Sequence, residues 1–217
     1  MRKIFLIGGL GADERVFQNM DLPQFEKIFV TWIPPVKNES IESYAKRLSA
    51  QIKEPKPCIL GVSFGGMIAT EMAKYYPEAE VFIVSSAKTY RELPWVYRII
   101  GRLGLLKLLP IQFLTYHNRI VDWFFGVKNS KESNLLKSIL ADTDTIFLKW
   151  ALQQITHWSN REIPSNLTHI HGDKDRILPI AFTKPNAVIH RGGHLIILNK
   201  PLEIEDIIQQ KFTSTLI

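Results

Sequence analysis

The chain has 217 residues, of which 46% are hydrophobic and 22% are charged. This composition is typical of one globular domain and excludes a disordered chain. A single cysteine, Cys58, excludes a disulfide framework within the chain and predicts a reducing, cytoplasmic location. The formal net charge is +6, and no stretch is apolar for long enough to predict a transmembrane segment.

Apolar runs alternate with helical patterns along the first part of the chain and again towards its end. Strands are predicted at 3–8, 27–33, 58–60, 80–86, 167–171 and 187–190. Helices are predicted at 14–20, 40–52, 67–74, 94–109, 132–141, 145–158 and 202–212. Because the strands are continuously apolar and separated by helices, we expect an α/β fold with a mostly parallel, doubly wound sheet of about six strands.

The third strand leads into Gly61-Val62-Ser63-Phe64-Gly65, and a helical pattern follows at once. A serine in a tight turn between a strand and a helix is the layout of a nucleophile elbow. Glycines are needed beside such a turn because side chains there would collide with the neighbouring strand and helix. The sequence therefore predicts that the Ser63 hydroxyl is exposed above the end of the sheet.

Two loops after late strands carry the other groups that a serine nucleophile requires. Gly172-Asp173-Lys174-Asp175 follows the fifth strand, and Gly192-Gly193-His194 follows the sixth. Loops after parallel strands emerge at the same edge of a sheet, so we expect Ser63, an aspartate and His194 to converge there.

The order Ser, Asp, His together with the elbow resembles the α/β-hydrolase family. The likeness covers nearly the whole chain, from Gly8-Gly9-Leu10-Gly11 to Gly192-Gly193-His194 with Lys200-Pro201 after it. It also includes His-Gly-Asp-Lys-Asp-Arg-Ile-Leu-Pro at 171–179.

The resemblance implies a role for each of these residues. Ser63 is the expected nucleophile, and His194 is the base that takes its proton. Asp175 is the expected acid that orients His194, with Asp173 as the alternative. The backbone N–H groups of Leu10 and Phe64 are expected to form the oxyanion hole.

The segment between the fourth and fifth strands breaks the alternation. From Lys88 to Lys131 it carries eight bases and two acids, and this difference accounts for the entire net charge of the chain. Its place corresponds to the cap that α/β-hydrolases insert over the active site, so we expect a helical cap at 88–145 within a single domain, 1–217. Its bases would attract anionic substrates or a lipid surface.

One interpretation of this cap is a helical lid whose apolar faces pack on the core and whose bases face solvent. The other is that its aromatic and aliphatic side chains partly line an acyl pocket. The residues predicted to do so are Trp95, Tyr97, Leu103, Leu106, Leu109, Phe113, Trp123 and Phe124, with Trp95, Phe113 and Trp123 as the foremost candidates.

Other site types are disfavoured. His169, His171 and Asp173 form half of a dinuclear metal motif, but Lys174 stands where the motif needs another histidine, so we interpret both histidines as structural. The loop Gly8-Gly9-Leu10-Gly11 lacks the third glycine of a dinucleotide-binding motif. No nucleic-acid-binding pattern accompanies the basic segment. We therefore expect neither a metal nor an organic cofactor.

Taken together, the sequence predicts a serine hydrolase that cleaves an ester or thioester with an apolar acyl part. Two alternatives use the same fold: a lyase or carbon–carbon bond hydrolase, and a non-catalytic receptor for a small ligand. The connection between Asp175 and His194 is short for this family, so we expect one helix that covers the sheet to be missing there.

Overall fold

Six parallel strands form one sheet in the computed structural model, which describes residues 1–105 and 115–214. The strands are β1 (Arg2–Ile7), β2 (Phe25–Phe29), β3 (Cys58–Val62), β4 (Glu80–Val84), β5 (Leu167–Gly172) and β6 (Ala187–Ile189). They lie in the order β2-β1-β3-β4-β5-β6, and every neighbouring pair is parallel. The predicted parallel α/β sheet is confirmed.

Helices lie on both faces of this sheet. They are α1 (Ile41–Leu48), α2 (Phe64–Ala73), α3 (Trp95–Arg102), α4 (Arg119–Phe125), α5 (Ser130–Asp142), α6 (Thr145–His157), α7 (Ile196–Asn199) and α8 (Pro201–Ser214). Within the described ranges, none of the helices has the length and apolarity needed to cross a membrane.

The alternation of side chains along β1 shows how the sheet separates two apolar cores. Phe5 and Ile7 pack into the core that contains α1 and α2. Ile4 and Leu6 point the other way, into the core that contains the buried side of α8. Because successive residues of a strand face opposite sides, a strand covered on both faces is apolar throughout.

Several predicted elements are shorter in the structure. The second strand, predicted at 27–33, leaves the sheet after Phe29, and the amide of Gln51 then bonds to both the N–H and the C=O of Thr31. The helix expected at 14–20 is a single 3₁₀ turn, Glu14–Phe17, which the Asp13 carboxylate caps.

The connection between β5 and β6 is short, as predicted. Every residue from 173 to 186 is described, and the stretch contains only one 3₁₀ turn, Ile180–Phe182. The helix expected at 94–109 ends at Arg102, and its predicted continuation runs into residues 106–114, which lie outside the described ranges.

The turn between β3 and α2 brings three stretches of backbone into close contact. A Cβ atom on Gly65 would lie 2.1 Å from the carbonyl oxygen of Gly8 and 2.5 Å from that of Ile7. Backbone atoms cannot swing away as a flexible side chain can, so only glycine fits between α2 and β1.

We therefore expect Gly65→Ala to lower the free energy of unfolding by about 3 kcal/mol or more, through overpacking against backbone. Gly9→Ala is the matched control, because the nearest atom to its added methyl would be at an ordinary 3.5 Å. That variant should be as stable as the parent, or more stable by about 0.4–1 kcal/mol. Chemical denaturation of both variants measures the difference, and equal stabilities would contradict this account.

Candidate active site

Ser63 lies at the turn between β3 and α2 in a backbone conformation that is rare for a residue with a side chain. Its φ is 53° and its ψ is −118°. The neighbouring strand holds the turn on both sides of this residue: the Ser63 N–H donates to Val84 O at 2.9 Å, and Ser86 Oγ donates to Ser63 O at 2.7 Å. A strained serine that its surroundings hold in place is the geometry of a nucleophile elbow.

His194 and Asp175 extend a line of hydrogen bonds from the Ser63 hydroxyl. His194 Nε2 lies 2.9 Å from Ser63 Oγ, and His194 Nδ1 lies 2.7 Å from Asp175 Oδ2. A carboxylate only accepts, so Nδ1 carries the ring hydrogen and Nε2 is free to accept the hydroxyl proton of Ser63. His194 and Asp175 are both buried. The structure thus brings together the three side chains selected from the sequence.

The two aspartates of the 172–175 loop have different partners. Asp175 Oδ1 accepts the N–H groups of Ile177 and Leu178, each at 2.9 Å, which leaves Oδ2 for His194. Asp173 instead lies 2.9 Å from Nδ1 of His190, an exposed histidine at the end of β6. Only Asp175 is in contact with His194.

The loop after β1 lies beside Ser63. A Cβ atom on Gly9 would be 3.5 Å from Ser63 Cβ, and Leu10 lines the same cavity as Ser63 and Phe64. Phe64 is the first residue of α2, where backbone N–H groups have no partner within the helix. The Phe64 ring is buried against Phe147 and Trp150, which holds this end of α2 in place.

Ser63 and His194 open into a cavity of about 480 Å³, within the usual range for small-molecule sites. Its floor comes from the sheet and its loops, and its roof from α3, α4, α5 and α6. None of the described residues that line it is Asp, Glu, Lys or Arg. Few of the lining residues are polar, and the rest are aliphatic or aromatic.

Two buried histidines of β5 lie behind Asp175. His171 Nε2 is 2.8 Å from Leu178 O and 3.5 Å from Asp175 Oδ2. Both neighbours are acceptors, so Nε2 carries the hydrogen and Nδ1 accepts from His169 Nε2 at 3.1 Å. His169 Nδ1 makes no hydrogen bond and faces the Glu92 carboxylate at 3.9 Å. Three of the four ring nitrogens are held by hydrogen bonds within the protein, as expected for structural histidines, and His169 Nδ1 is the exception.

Metal ligands are not grouped near these histidines. Across the described residues, no three side chains of His, Cys, Asp or Glu are arranged to hold a metal ion. The ring nitrogens of His171 are taken up by a backbone carbonyl and by His169.

Comparisons with solved structures identify the fold. A thermophilic esterase from Thermogutta terrifontis superposes with a TM-score of 0.71 at 16% identity, over 99% of this chain and 90% of that one. A bromoperoxidase from Bacillus anthracis gives 0.69 at 15% identity, over 98% and 92%. A meta-cleavage product hydrolase from Pseudomonas fluorescens IP01 gives 0.67 at 16% identity, over 99% and 92%. This chain has the α/β-hydrolase fold.

Neither a protein-family model nor a curated protein sequence matches the chain. The α/β-hydrolase fold is thus shown by tertiary structure at low sequence identity. Such a likeness establishes architecture, and it leaves the reaction to be argued from the site itself.

Four of the eight cap residues chosen from the sequence, Trp95, Leu103, Trp123 and Phe124, do not line the cavity of this α/β-hydrolase fold. Trp95 and Trp123 are 58% and 55% exposed, and the outward faces of α3 and α4 carry them. Leu103 and Phe124 are exposed too, whereas Tyr97 does line the cavity. Phe113, Leu106 and Leu109 lie outside the described residues.

Helix periodicity explains the error. Positions two apart on a helix point in nearly opposite directions, so Tyr97 faces the cavity while Trp95 faces away, and Phe125 faces in while Trp123 faces away. Apolar residues at three- and four-residue spacing form the inner faces of α3, α4, α5 and α6, and the residues predicted above do not include them. These inner-face residues are Ile100, Val121, Phe125, Leu136, Ile139, Leu140, Leu148, Leu152 and Ile155.

Burial sets the charge states behind the site. Burial lowers the pKa of His169 to about 2, with repulsion from His171 and Lys88 adding to the effect. Burial also lowers the pKa of His171, although Asp175 opposes the shift. For Asp175, burial acts to raise the pKa, but His194 and the hydrogen bonds to the carboxylate outweigh it, and the pKa lies below its ordinary value. The Asp175 carboxylate therefore stays charged. It contacts His194 and lies beside the neutral His171 of β5.

The low pKa of His169 predicts a loss of stability in acid. The unfolded chain binds a proton at this residue below about pH 6.5, whereas the folded chain does not until about pH 2. The free energy of unfolding is therefore highest above about pH 6.5. Through this residue alone it decreases by about 2 kcal/mol as the pH is lowered from 7 to 5.

His169→Gln keeps a side-chain donor for His171 and removes the titration. As the pH is lowered from 7 to 5, the free energy of unfolding of the parent should fall by about 2 kcal/mol more than that of the variant. Urea titrations at the two pH values measure both slopes, and parallel slopes would contradict the assignment.

Proposed function

We propose that this protein is a serine hydrolase that cleaves carboxylic esters with an uncharged, apolar acyl group. One observation carries the proposal: Ser63 Oγ lies 2.9 Å from His194 Nε2 at the wall of an apolar cavity. A serine, a base that accepts its proton and a carboxylate that orients the base are the parts that acyl transfer requires.

In the proposed reaction, Ser63 Oγ attacks the ester carbonyl carbon while His194 Nε2 takes the hydroxyl proton. The tetrahedral intermediate collapses, His194 gives the proton to the departing alkoxide, and an acyl-Ser63 ester remains. Water then enters, His194 takes one of its protons, and attack at the acyl carbon releases the carboxylic acid. The proton returns to Ser63 Oγ, so the enzyme is restored.

Asp175 has a supporting role in both half-reactions. Its Oδ2 holds the Nδ1–H of His194, so the ring presents a bare Nε2 to Ser63. The positive charge that develops on His194 is then stabilised by a buried carboxylate. The low pKa of Asp175 supports this role, because the acid stays ionised when His194 gains a proton.

The N–H groups of Leu10 and Phe64 are the proposed donors to the developing oxyanion. Both residues line the cavity beside Ser63, and the N-terminal end of α2 adds its partial positive charge.

The charge of the substrate follows from the lining of the cavity. An anionic acyl group would lose its hydration there, and none of the described lining residues is a cation that could pair with it. Among the described bases of the cap, none lines the cavity, and Arg102 and Arg119 are exposed. This favours neutral aliphatic or aromatic esters over charged ones.

Ser63→Ala should abolish ester hydrolysis, with a loss of at least about a thousandfold in kcat, while the fold is retained. The parent protein should be labelled by a fluorophosphonate and the variant should not. Retained turnover in Ser63→Ala would refute the mechanism.

The assignment of the acid is tested by a matched pair of variants on one loop. Asp175→Asn should lower kcat by about ten-thousandfold, because the amide favours the wrong tautomer of His194. Asp173→Asn should keep nearly the parent rate, because Asp173 contacts His190 instead. The reverse pattern of rates would make Asp173 the acid.

Acyl specificity can be read from a series of p-nitrophenyl esters of increasing chain length, with acyl-CoA thioesters alongside. Leu152→Trp adds bulk to the cavity wall, so kcat/KM should fall for long chains and change little for acetate. Ile146→Trp, on the same helix but 74% exposed, is the control and should match the parent. Equal effects on every chain length would contradict an acyl site in this cavity.

The alternatives within the fold give different results in the same assays. A non-catalytic receptor would resist labelling at Ser63 and gain thermal stability with an apolar ligand. A lyase or carbon–carbon bond hydrolase would cleave the esters poorly. Ester turnover that depends on Ser63 excludes the receptor, and kcat/KM values in the usual range for enzymes, about 10⁴ M⁻¹ s⁻¹ or more, exclude the other two.

A further inference from the structure

Helix α3 and its last turn present an apolar stripe to solvent. Trp95, Val96, Ile99 and Leu103 are all exposed, Trp95 by 58% and Leu103 by 66%. Their spacing places them on one face of a helix with 3.6 residues per turn. The opposite face is also in use, because Tyr97 and Ile100 line the cavity. The helix is therefore apolar on both sides, which is unusual for a helix at the surface of a soluble protein.

Helix α4 repeats this arrangement. Ile120, Trp123 and Phe124 are exposed, Ile120 by 65%, while Val121 and Phe125 line the cavity. Trp123 and Phe124 contact each other edge to face, with ring centres 5.0 Å apart. Large exposed apolar side chains grouped in this way mark interaction sites more often than scattered ones do.

The exposed stripes of α3 and α4 belong to neighbouring helices. The inner faces of both helices line one cavity, and both helices bond to adjacent residues of the loop after β5: Tyr97 Oη donates to Ile177 O at 2.6 Å, and Arg176 Nη1 donates to Trp123 O at 2.7 Å. We treat their exposed apolar residues as one surface. We call this surface the cap face and define it by Trp95, Val96, Ile99, Leu103, Ile120, Trp123 and Phe124.

Positive charge surrounds the cap face. Arg102, Arg119 and Arg176 are exposed, and the Arg176 guanidinium lies 4.3 Å from the centre of the Trp123 ring. The sequence from 93 to 121 contains no acid. The two acids on either side are withdrawn from the surface: Glu92 is buried, and Asp122 is bonded to His117 and Ser133.

We propose that the cap face binds the surface of an anionic lipid membrane. The apolar side chains would enter the boundary of the acyl chains, the tryptophans would lie at the interface and the arginines would contact headgroup phosphates. Charge decides between this occupant and a second copy of the chain. Two cap faces of the same sign repel each other, whereas an anionic membrane is complementary to them.

With the cap face in a membrane, the proposed acyl cavity would lie directly beneath the bound surface. Apolar esters partition into lipid, so a cap face in the membrane would bring the cavity close to its substrates. Membrane binding itself is measured without substrate, and it can therefore be tested whether or not the proposed hydrolysis is correct.

The test is cosedimentation of the full chain with sucrose-loaded vesicles. One set contains phosphatidylcholine alone, and the other contains equal parts of phosphatidylcholine and phosphatidylglycerol. We expect binding to the anionic vesicles that weakens as salt is added, and much weaker binding to the neutral ones.

Two double variants separate the apolar and electrostatic contributions. Ile99→Ser with Leu103→Ser should reduce the partition coefficient by about tenfold or more. Arg102→Gln with Arg119→Gln should reduce it by a similar factor on anionic vesicles only.

Matched controls lie elsewhere on the surface. Ile146→Ser with Leu202→Ser changes two apolar residues that are 74% and 69% exposed, and Lys46→Gln with Lys53→Gln removes two exposed charges. Both control pairs should bind vesicles as the parent does. Ile99 and Leu103 do not line the cavity, so turnover of a short soluble ester should also survive their replacement.

Three results would overturn the proposal. One is equal binding of the parent to neutral and anionic vesicles, or binding to neither. Another is loss of binding in the control pairs to the same extent as in the cap-face variants. The third is a parent dimer, seen by light scattering, that Ile99→Ser with Leu103→Ser converts to a monomer while vesicle binding is absent, because a second copy would then cover the cap face.

Discussion

The candidate site depends on a contact between backbones at the turn after β3. Gly65 lies against the carbonyls of Ile7 and Gly8, which lets α2 start directly above the sheet. That close approach places the loop after β1 beside Ser63 and aims the first N–H groups of α2 at the same point. A side chain at this crossing would separate the nucleophile from the loop that supplies the second proposed oxyanion donor. The strained φ of Ser63 is held by hydrogen bonds from the neighbouring strand.

A second constraint is the burial of polar groups behind the site. Asp175 is ionised in an interior that would otherwise neutralise it, because two backbone N–H groups and His194 hold the carboxylate. His171 completes its surroundings and is itself oriented by His169. These hydrogen bonds are compatible with a site in which His194 must keep its hydrogen on Nδ1, next to Asp175, throughout a reaction. It has a cost, since His169 keeps a nitrogen without a hydrogen bond and resists protonation in the folded state.

The cap helices connect the site to the outer surface. Leu195 N–H bonds to Phe125 O, and the Phe125 ring packs edge-on against His194, so the end of α4 contacts the loop that carries the proposed base. The inner faces of α3 and α4 form an uncharged cavity roof, and their outer faces form the cap face. In the two proposals, one short segment selects an apolar substrate on its inner side and binds a membrane surface on its outer side.

The sequence by itself determined the α/β architecture and placed His194 and an aspartate of the 172–175 loop beside Ser63. Continuous apolar strands predict a parallel sheet, and loops after parallel strands emerge at one edge. The tertiary structure decided between the two aspartates, because Asp175 contacts His194 whereas Asp173 contacts His190. Only the tertiary structure decided which way the cap helices face. Helix α3 packs closely against Thr156 of α6 at Gly101, with Tyr97 facing the cavity and Trp95 exposed to solvent. Periodicity defines the two faces of a helix, but when both are apolar it cannot say which face is buried, because burial is a property of the neighbours.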